Sequence, residues 1–181
     1  MKKATHILSV LIVILFLISC NNKQVKNVEN QSPKDIFAES LVETQILTNE
    51  YATEYEYTIS IPPDYFIYDF KAADFMVYYI YPVDSVAQTP FSMGIYFGNH
   101  PNSFEHDCEK TTVENKILGE NVEWTIYNCD TEYSTQALIE SGSKEHWCEY
   151  IHLFGTAISE SELEKLLTVF KTFSKSEKNN D

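Results

Sequence analysis

Arginine is missing from this chain. All 13 basic residues are lysines, against 27 acidic residues, and the formal charge is −14. Arginine supplies the planar fork that grips phosphate and carboxylate in two places at once. Nucleic acid is held by lysine and arginine neutralising its phosphates. An acidic chain without arginine therefore excludes a nucleic-acid partner, and it disfavours anionic lipid held by the protein's own side chains. Glycine is also scarce, with five residues scattered along the chain, so no glycine-rich phosphate loop can be assembled. No G-x-S-x-G, H-E-x-x-H or C-x-x-C occurs, which removes the familiar signatures of serine hydrolases, zinc proteases and thiol redox proteins. Nothing calls for a cofactor. The longest almost entirely apolar stretch, residues 7–18, is short of the roughly 20 residues that a spanning helix needs.

That run is nevertheless the most informative stretch present. Lys2 and Lys3 precede it and Leu17-Ile18-Ser19-Cys20 closes it, the three-part layout of a secretory signal. The closing four residues resemble the lipobox of bacterial lipoproteins, with Leu at −3, a small residue at −1 and the obligatory Cys. The resemblance implies cleavage before Cys20, a lipid on its thiol and acylation of its new amino group. Residues 1–19 are then a signal peptide and 20–33 a lipidated Cys with a polar, flexible tether. Several acyl chains on Cys20 hold a membrane far better than one. The expected location is the cell envelope. Asn21 in place of the Asp that retains lipoproteins at the inner membrane implies the periplasmic face of the outer membrane in a Gram-negative cell. Otherwise the expected place is the outer face of the cytoplasmic membrane.

Residues 34–173 read as one α+β domain. Phe37, Leu41, Ile46 and Leu47 lie at roughly helical spacing within 34–48. Residues 54–61 alternate strictly, with Tyr55, Tyr57, Ile59 and Ile61 on one side, the pattern of a half-buried strand stopped by Pro62-Pro63. Residues 75–81, FMVYYIY, are apolar on both faces and predict a strand covered on both sides. Residues 91–97 predict another strand. Residues 111–117 and 122–128 predict a hairpin about Gly119-Glu120, pairing Ile117 with Val122 and Val113 with Ile126. Strands over 132–139 and 145–154 continue the meander. Ser159 and Glu162 form a capping box, and Leu163, Leu166, Leu167 and Phe170 give one apolar stripe. The fold class is a mostly antiparallel β-sheet meander with a C-terminal amphipathic helix on one face. The polar residues 174–181 predict a disordered tail. The element order over 54–173 resembles proteins of the photosystem II subunit P type, which implies an α/β/α sandwich.

Three cysteines follow Cys20: Cys108, Cys129 and Cys148. The hairpin register puts Cys129 opposite Lys110 and Cys108 opposite Thr131, so the two thiols are diagonal neighbours, about 7–8 Å apart. A bridge wants Cα atoms within about 7 Å, which strand twist or a bulge supplies, and Cys108–Cys129 is the expected disulfide. Cys148 is left as a buried small hydrophobe, or as a reactive thiol beside His146.

Two functional readings follow. The first is a lipid-anchored binding or structural module of the envelope, without catalysis, whose acidity serves solubility or steers a basic protein partner. Its candidate contact residues are Tyr65 and Tyr68, placed on a surface loop after the proline pair, where aromatics stack on sugars or anchor proteins. The second is an envelope metal-dependent hydrolase using His106, Asp107 and Cys108, with His100 nearby and a strand histidine, His146 or His152, completing the site. These are ligand types that zinc takes. Glu54 and Glu56 read as the wet face of a strand.

Overall fold

The computed structural model describes residues 32–47, 54–84, 88–143 and 148–178. The signal-peptide residues, Cys20, the tether up to residue 31, and His146 lie outside the described residues, and Pro33, the expected end of the tether, opens the first helix. Residues from Pro33 onward pack as one unit. The order is α1 (Pro33–Ser40), β1 (Val42–Leu47), β2 (Tyr55–Ile61), β3 (Tyr65–Lys71), β4 (Phe75–Pro82), β5 (Phe91–Gly98), β6 (Glu109–Ile117), β7 (Glu120–Asn128), β8 (Tyr133–Glu140), β9 (Tyr150–Ala157), α2 (Glu160–Phe170) and β10 (Ser174–Glu177).

Seven strands form one antiparallel sheet in the order β3-β4-β5-β9-β8-β7-β6, and β1-β2-β10 form a second, smaller one. The fold class read from sequence is therefore the observed one: mostly antiparallel sheet with the C-terminal helix against it. Alternation decides which side chains meet that helix. Met76, Tyr78 and Ile80 of β4, Met93, Ile95 and Phe97 of β5, and Ile151 and Leu153 of β9 are buried on the inner face. They pack with Leu163, Leu166, Val169 and Phe170 of α2 and with Tyr57, Ile59 and Ile61 of β2. Gly155 lets the helix approach, because a Cβ there would lie 2.7 Å from Leu166 Cδ1. Ser159 caps α2 as its sequence predicts, its Oγ accepting from the Glu162 N–H at 3.3 Å. The Glu162 carboxylate does not close the box; it pairs with Lys165 at 2.7 Å.

Several expectations are corrected. The predicted helix over 34–48 ends at Ser40, and Val42–Leu47 is a strand paired to β2. The small sheet needs that strand, and local apolar spacing over four residues does not outweigh the pairing. Residues 174–177 are ordered as β10 rather than forming a disordered tail. The edge of β2 presents unpaired backbone groups there, and β10 satisfies them while keeping its polar side chains outward. Lys175 also donates to Ser141 O at 3.2 Å and lies over the Tyr55 ring. The last strand of the large sheet is Tyr150–Ala157 rather than 145–154. An α/β/α sandwich is not formed among the described residues. Both helices lie together, with Lys165 of α2 over the Phe37 ring of α1, and the outer face of the large sheet carries a loop instead.

The hairpin register is shifted by two residues from the expected one. Ile117 pairs with Glu120, Asn115 with Val122 and Val113 with Trp124. The turn is Leu118-Gly119, with φ of 54° and 85°, the doubly positive combination that matches strand twist in a two-residue loop. A slip of two preserves the face of every side chain, so alternation alone does not distinguish the two registers. The shift carries Cys108 from a diagonal to a directly opposed position. Cys108 and Cys129 are bridged, with Cα atoms 5.3 Å apart. The bridge spans a sequence separation of 21, and closing such a loop stabilises by about 3 kcal/mol. Replacing both cysteines by serine is expected to lower the urea unfolding free energy by about 2–4 kcal/mol, and reduction of the wild type should reproduce that loss.

Candidate functional site

The order of the large sheet sets a topological demand. β5 lies near its middle and β6 at its edge, so residues 99–108 travel past β9, β8 and β7. Four strand spacings amount to about 19 Å, well within the extended reach of ten residues, about 33–36 Å. The crossing is made over the outer face, the one turned away from α2. Its midpoint, Phe104, is fastened there by side chains of that face. The Gln136 amide donates from Nε2 to Phe104 O at 2.6 Å and accepts the Phe104 N–H on Oε1 at 3.2 Å. The Tyr127 hydroxyl donates to the same carbonyl at 3.2 Å. The near end is held by the His100 N–H donating to the Tyr96 hydroxyl at 3.1 Å, and the far end by the disulfide.

His152 belongs to this fastening. It is buried on the outer face between the rings of Phe104 and Phe154, with centroids 6.0 and 5.4 Å away. The two bonds from Gln136 to Phe104 fix which end of the amide is oxygen. His152 Nε2, 3.1 Å from Oε1, is therefore the donor, and the ring carries its proton there. Burial lowers the His152 pKa to about 4, so the ring is neutral at pH 7 and acts as a fixed hydrogen-bond donor.

The uncovered part of the outer face is aromatic. Registers across β3, β4, β5, β9 and β8 bring Tyr68, Tyr79, Gly94, Phe154 and Gln136 into one row. The next row runs Phe70, Val77, Tyr96, His152 and Leu138. Gly94 and Gly98 make the floor possible. A Cβ on Gly94 would lie 2.2 Å from the Phe154 ring, and one on Gly98 2.3 Å from the Tyr96 hydroxyl. The rings of Phe154 and Tyr96 thus fold down onto bare backbone and leave space above it. Two cavities open on either side of Phe104. One, of about 480 Å³, is walled by Phe75, Tyr79, Tyr96 and Phe154, with Asp74, His100 and Asn102 at its margin. The other, of about 290 Å³, is bounded by Tyr79, Tyr81, Phe154, His106, Ser92 and Thr156. A concave, mostly apolar pocket with few polar groups is the common form of a small-molecule site.

The residues singled out in the sequence fall differently. Tyr65 is not on a surface loop. It opens β3 on the inner face, 8% exposed, stacked on Phe91 and donating its hydroxyl to Phe91 O at 3.1 Å. Burial raises its pKa, and it is closed to any ligand. Tyr68 is 55% exposed and lies on the strand beside Tyr79, at the rim of the aromatic face. His106 reaches the smaller cavity, packed edge-on against Tyr127 and Phe104. The His106/Asp107/Cys108 centre does not form, because Cys108 is bridged and a disulfide sulfur is not a thiolate ligand. Among the described residues no group of three His, Cys, Asp or Glu side chains is arranged to hold a metal. Cys148 is fully buried, as expected of a small hydrophobe. Sequence reading missed Tyr79, Tyr96, Phe104, Phe154 and His152 as a set. The available signal was the second apolar face of residues 75–81, which has to be covered or used.

No family model, no curated protein and no solved structure matches the chain.

The low pKa of His152 has a thermodynamic consequence. The unfolded chain takes up a proton near the ordinary histidine value of 6.5, the folded chain near 4, so between these the unfolded state binds more protons. Stability contributed by neutral His152 is complete above pH 6.5 and falls as pH drops toward 4, by up to about 1.4 kcal/mol per pH unit. Urea unfolding at pH 7 and pH 4.5 should show a smaller loss for His152→Gln than for wild type. An equal loss in both would contradict this assignment.

Proposed function

We propose that this chain is a lipid-anchored module of the cell envelope that holds a small ligand in the aromatic cleft, without transforming it. The observation that carries the reading is the cleft itself. A sheet face that packing would otherwise have to cover is built open, over glycines, under a loop fastened by Gln136, His152 and a disulfide. Preorganised apolar walls with few polar groups favour binding by surface burial. The absence of catalysis is supported by the state of the nearby groups: His152 is neutral and committed to Gln136, and Cys108 is oxidised. A basic protein partner, expected from the charge alone, calls for a broad acidic face, whereas a concave pocket suits a small ligand.

The anchor rests on the lipobox resemblance at residues 17–20. No helix among the described residues is long and apolar enough to cross a membrane, so in this reading Cys20 supplies the attachment, at the periplasmic face of an outer membrane or the outer face of a cytoplasmic one. Cells fed an alkyne-tagged palmitate should label the wild type and not Cys20→Ser, which should also leave the membrane fraction. Label retained by the serine variant would remove the anchor from the proposal.

For the cleft, a fragment library screened by saturation-transfer NMR against the full chain should yield ligands whose signal drops in Tyr79→Ala and Phe154→Ala. Losing one aromatic wall should cost about tenfold in affinity, equivalent to roughly 1.4 kcal/mol. Fragments that bind both variants as they bind wild type would place binding elsewhere and end the cleft reading.

A further inference from the structure

The chemistry of the larger cavity narrows the ligand class. Its walls are aromatic rings set at different angles. Phe75 and Tyr96 lie nearly parallel, 5.6 Å apart at 29°, while Tyr79 and Phe154 meet edge to face, 6.3 Å apart at 77°. Ring faces carry the negative lobe of the aromatic quadrupole, so a cation seated against the face of one of these rings meets negative potential. Among the described residues, Asp74, in the turn between β3 and β4, is the one carboxylate lining this cavity, and no lysine lines it. Its charge reaches the wall. The Tyr96 hydroxyl has its pKa raised by burial first and by Asp74 among the further causes. His152, the deepest titratable group, is neutral for the reason given above and adds no positive charge. An anion would meet a carboxylate and, among the described residues, no lysine partner. A neutral polar ligand would leave the carboxylate without a counter-charge.

We propose that the cavity takes a small organic cation, an alkylated ammonium group seated against Tyr79, Tyr96 and Phe154 with Asp74 as its counter-charge. This rests on the cleft reading and specifies its ligand. A methylated ammonium suits the site better than a primary amine or a metal ion. It is weakly hydrated, it needs no convergent hydrogen-bond acceptors, and its methyl groups bury against the rings while the charge interacts with their faces. The same features account for a site with aromatic walls and a single carboxylate rather than a ring of acids. The chain's overall acidity raises the local concentration of such cations at the mouth.

The test compares two ligands of one shape. Choline and its neutral isostere 3,3-dimethylbutan-1-ol are titrated into the full chain, held in a maltoside detergent free of choline headgroups, and followed by NMR shifts of the Tyr and Phe rings. Choline is expected to shift the cleft rings and to bind about tenfold tighter than the isostere, with Asp74→Asn losing a similar factor for choline and little for the alcohol. Circular dichroism of Asp74→Asn, a change in an exposed turn, checks that the variant is folded. Equal binding of both ligands at the cleft would overturn the cation inference and leave the cleft reading standing. Shifts from neither would also overturn it, and the fragment screen on Tyr79→Ala and Phe154→Ala decides the cleft separately.

Discussion

The crossing of residues 99–108 over the outer sheet face is the constraint on which the rest of this structure depends. β5 pairs with β9, not with β6, so the chain leaving β5 must reach the far edge before the meander returns. An irregular segment on a sheet face has backbone groups to satisfy, and the face has to offer partners. Gln136 does so twice for Phe104, and Tyr127 does so once. His152 then fixes Gln136, which is why a histidine is buried there without its charge. The loop that satisfies these bonds covers only part of the face, and the cleft is the uncovered remainder.

The two faces of the sheet are finished by different means. On the inner face, apolar side chains meet a helix and a second sheet, and close packing leaves little unused space. On the outer face, packing is replaced by a few directed hydrogen bonds, a disulfide at one end of the loop and large rings laid over glycine. Rings so placed are held by backbone contact on one side and stay half-buried, open to the cleft on the other. Aromatic rings already held in place lose little entropy when something binds. Phe154 over Gly94 and Tyr96 over Gly98 show this economy most directly.

The electrostatics follow the same division. The chain is acidic without arginine, and lysines such as Lys165 beside Glu162 and Lys175 at the β10 edge sit away from the cleft. Among the described residues no lysine borders the larger cavity. A pocket with one carboxylate and several ring faces is thus the local expression of a charge balance that was evident in the composition. The Cys108–Cys129 bridge supports the envelope location proposed above, since disulfides persist outside the reducing cytosol.

The sequence by itself determined the periodic and the local. Strict alternation in residues 54–61 gave a half-buried strand, and Ser159 with the stripe Leu163 to Phe170 gave a capped helix, because the forces that choose these elements act over a few residues. It also located the Cys108–Cys129 bridge, although through a register displaced by two, since a shift of two leaves every side chain on its own face. What tertiary structure alone decided was which strands are neighbours. β5 and β9 lie more than 50 residues apart, and nothing local links Gly94 to Phe154 or Tyr96 to His152. The polar stretch 174–177 became a strand because β2 had an open edge, and Val42–Leu47 left its helical spacing for the other edge. Tyr65 and Tyr68 are three residues apart and near-identical in local context, yet strand pleat sends one into the core and the other to the rim of the cleft. The site was illegible in sequence because it is made of rows across the sheet, and a row exists only once distant strands are paired.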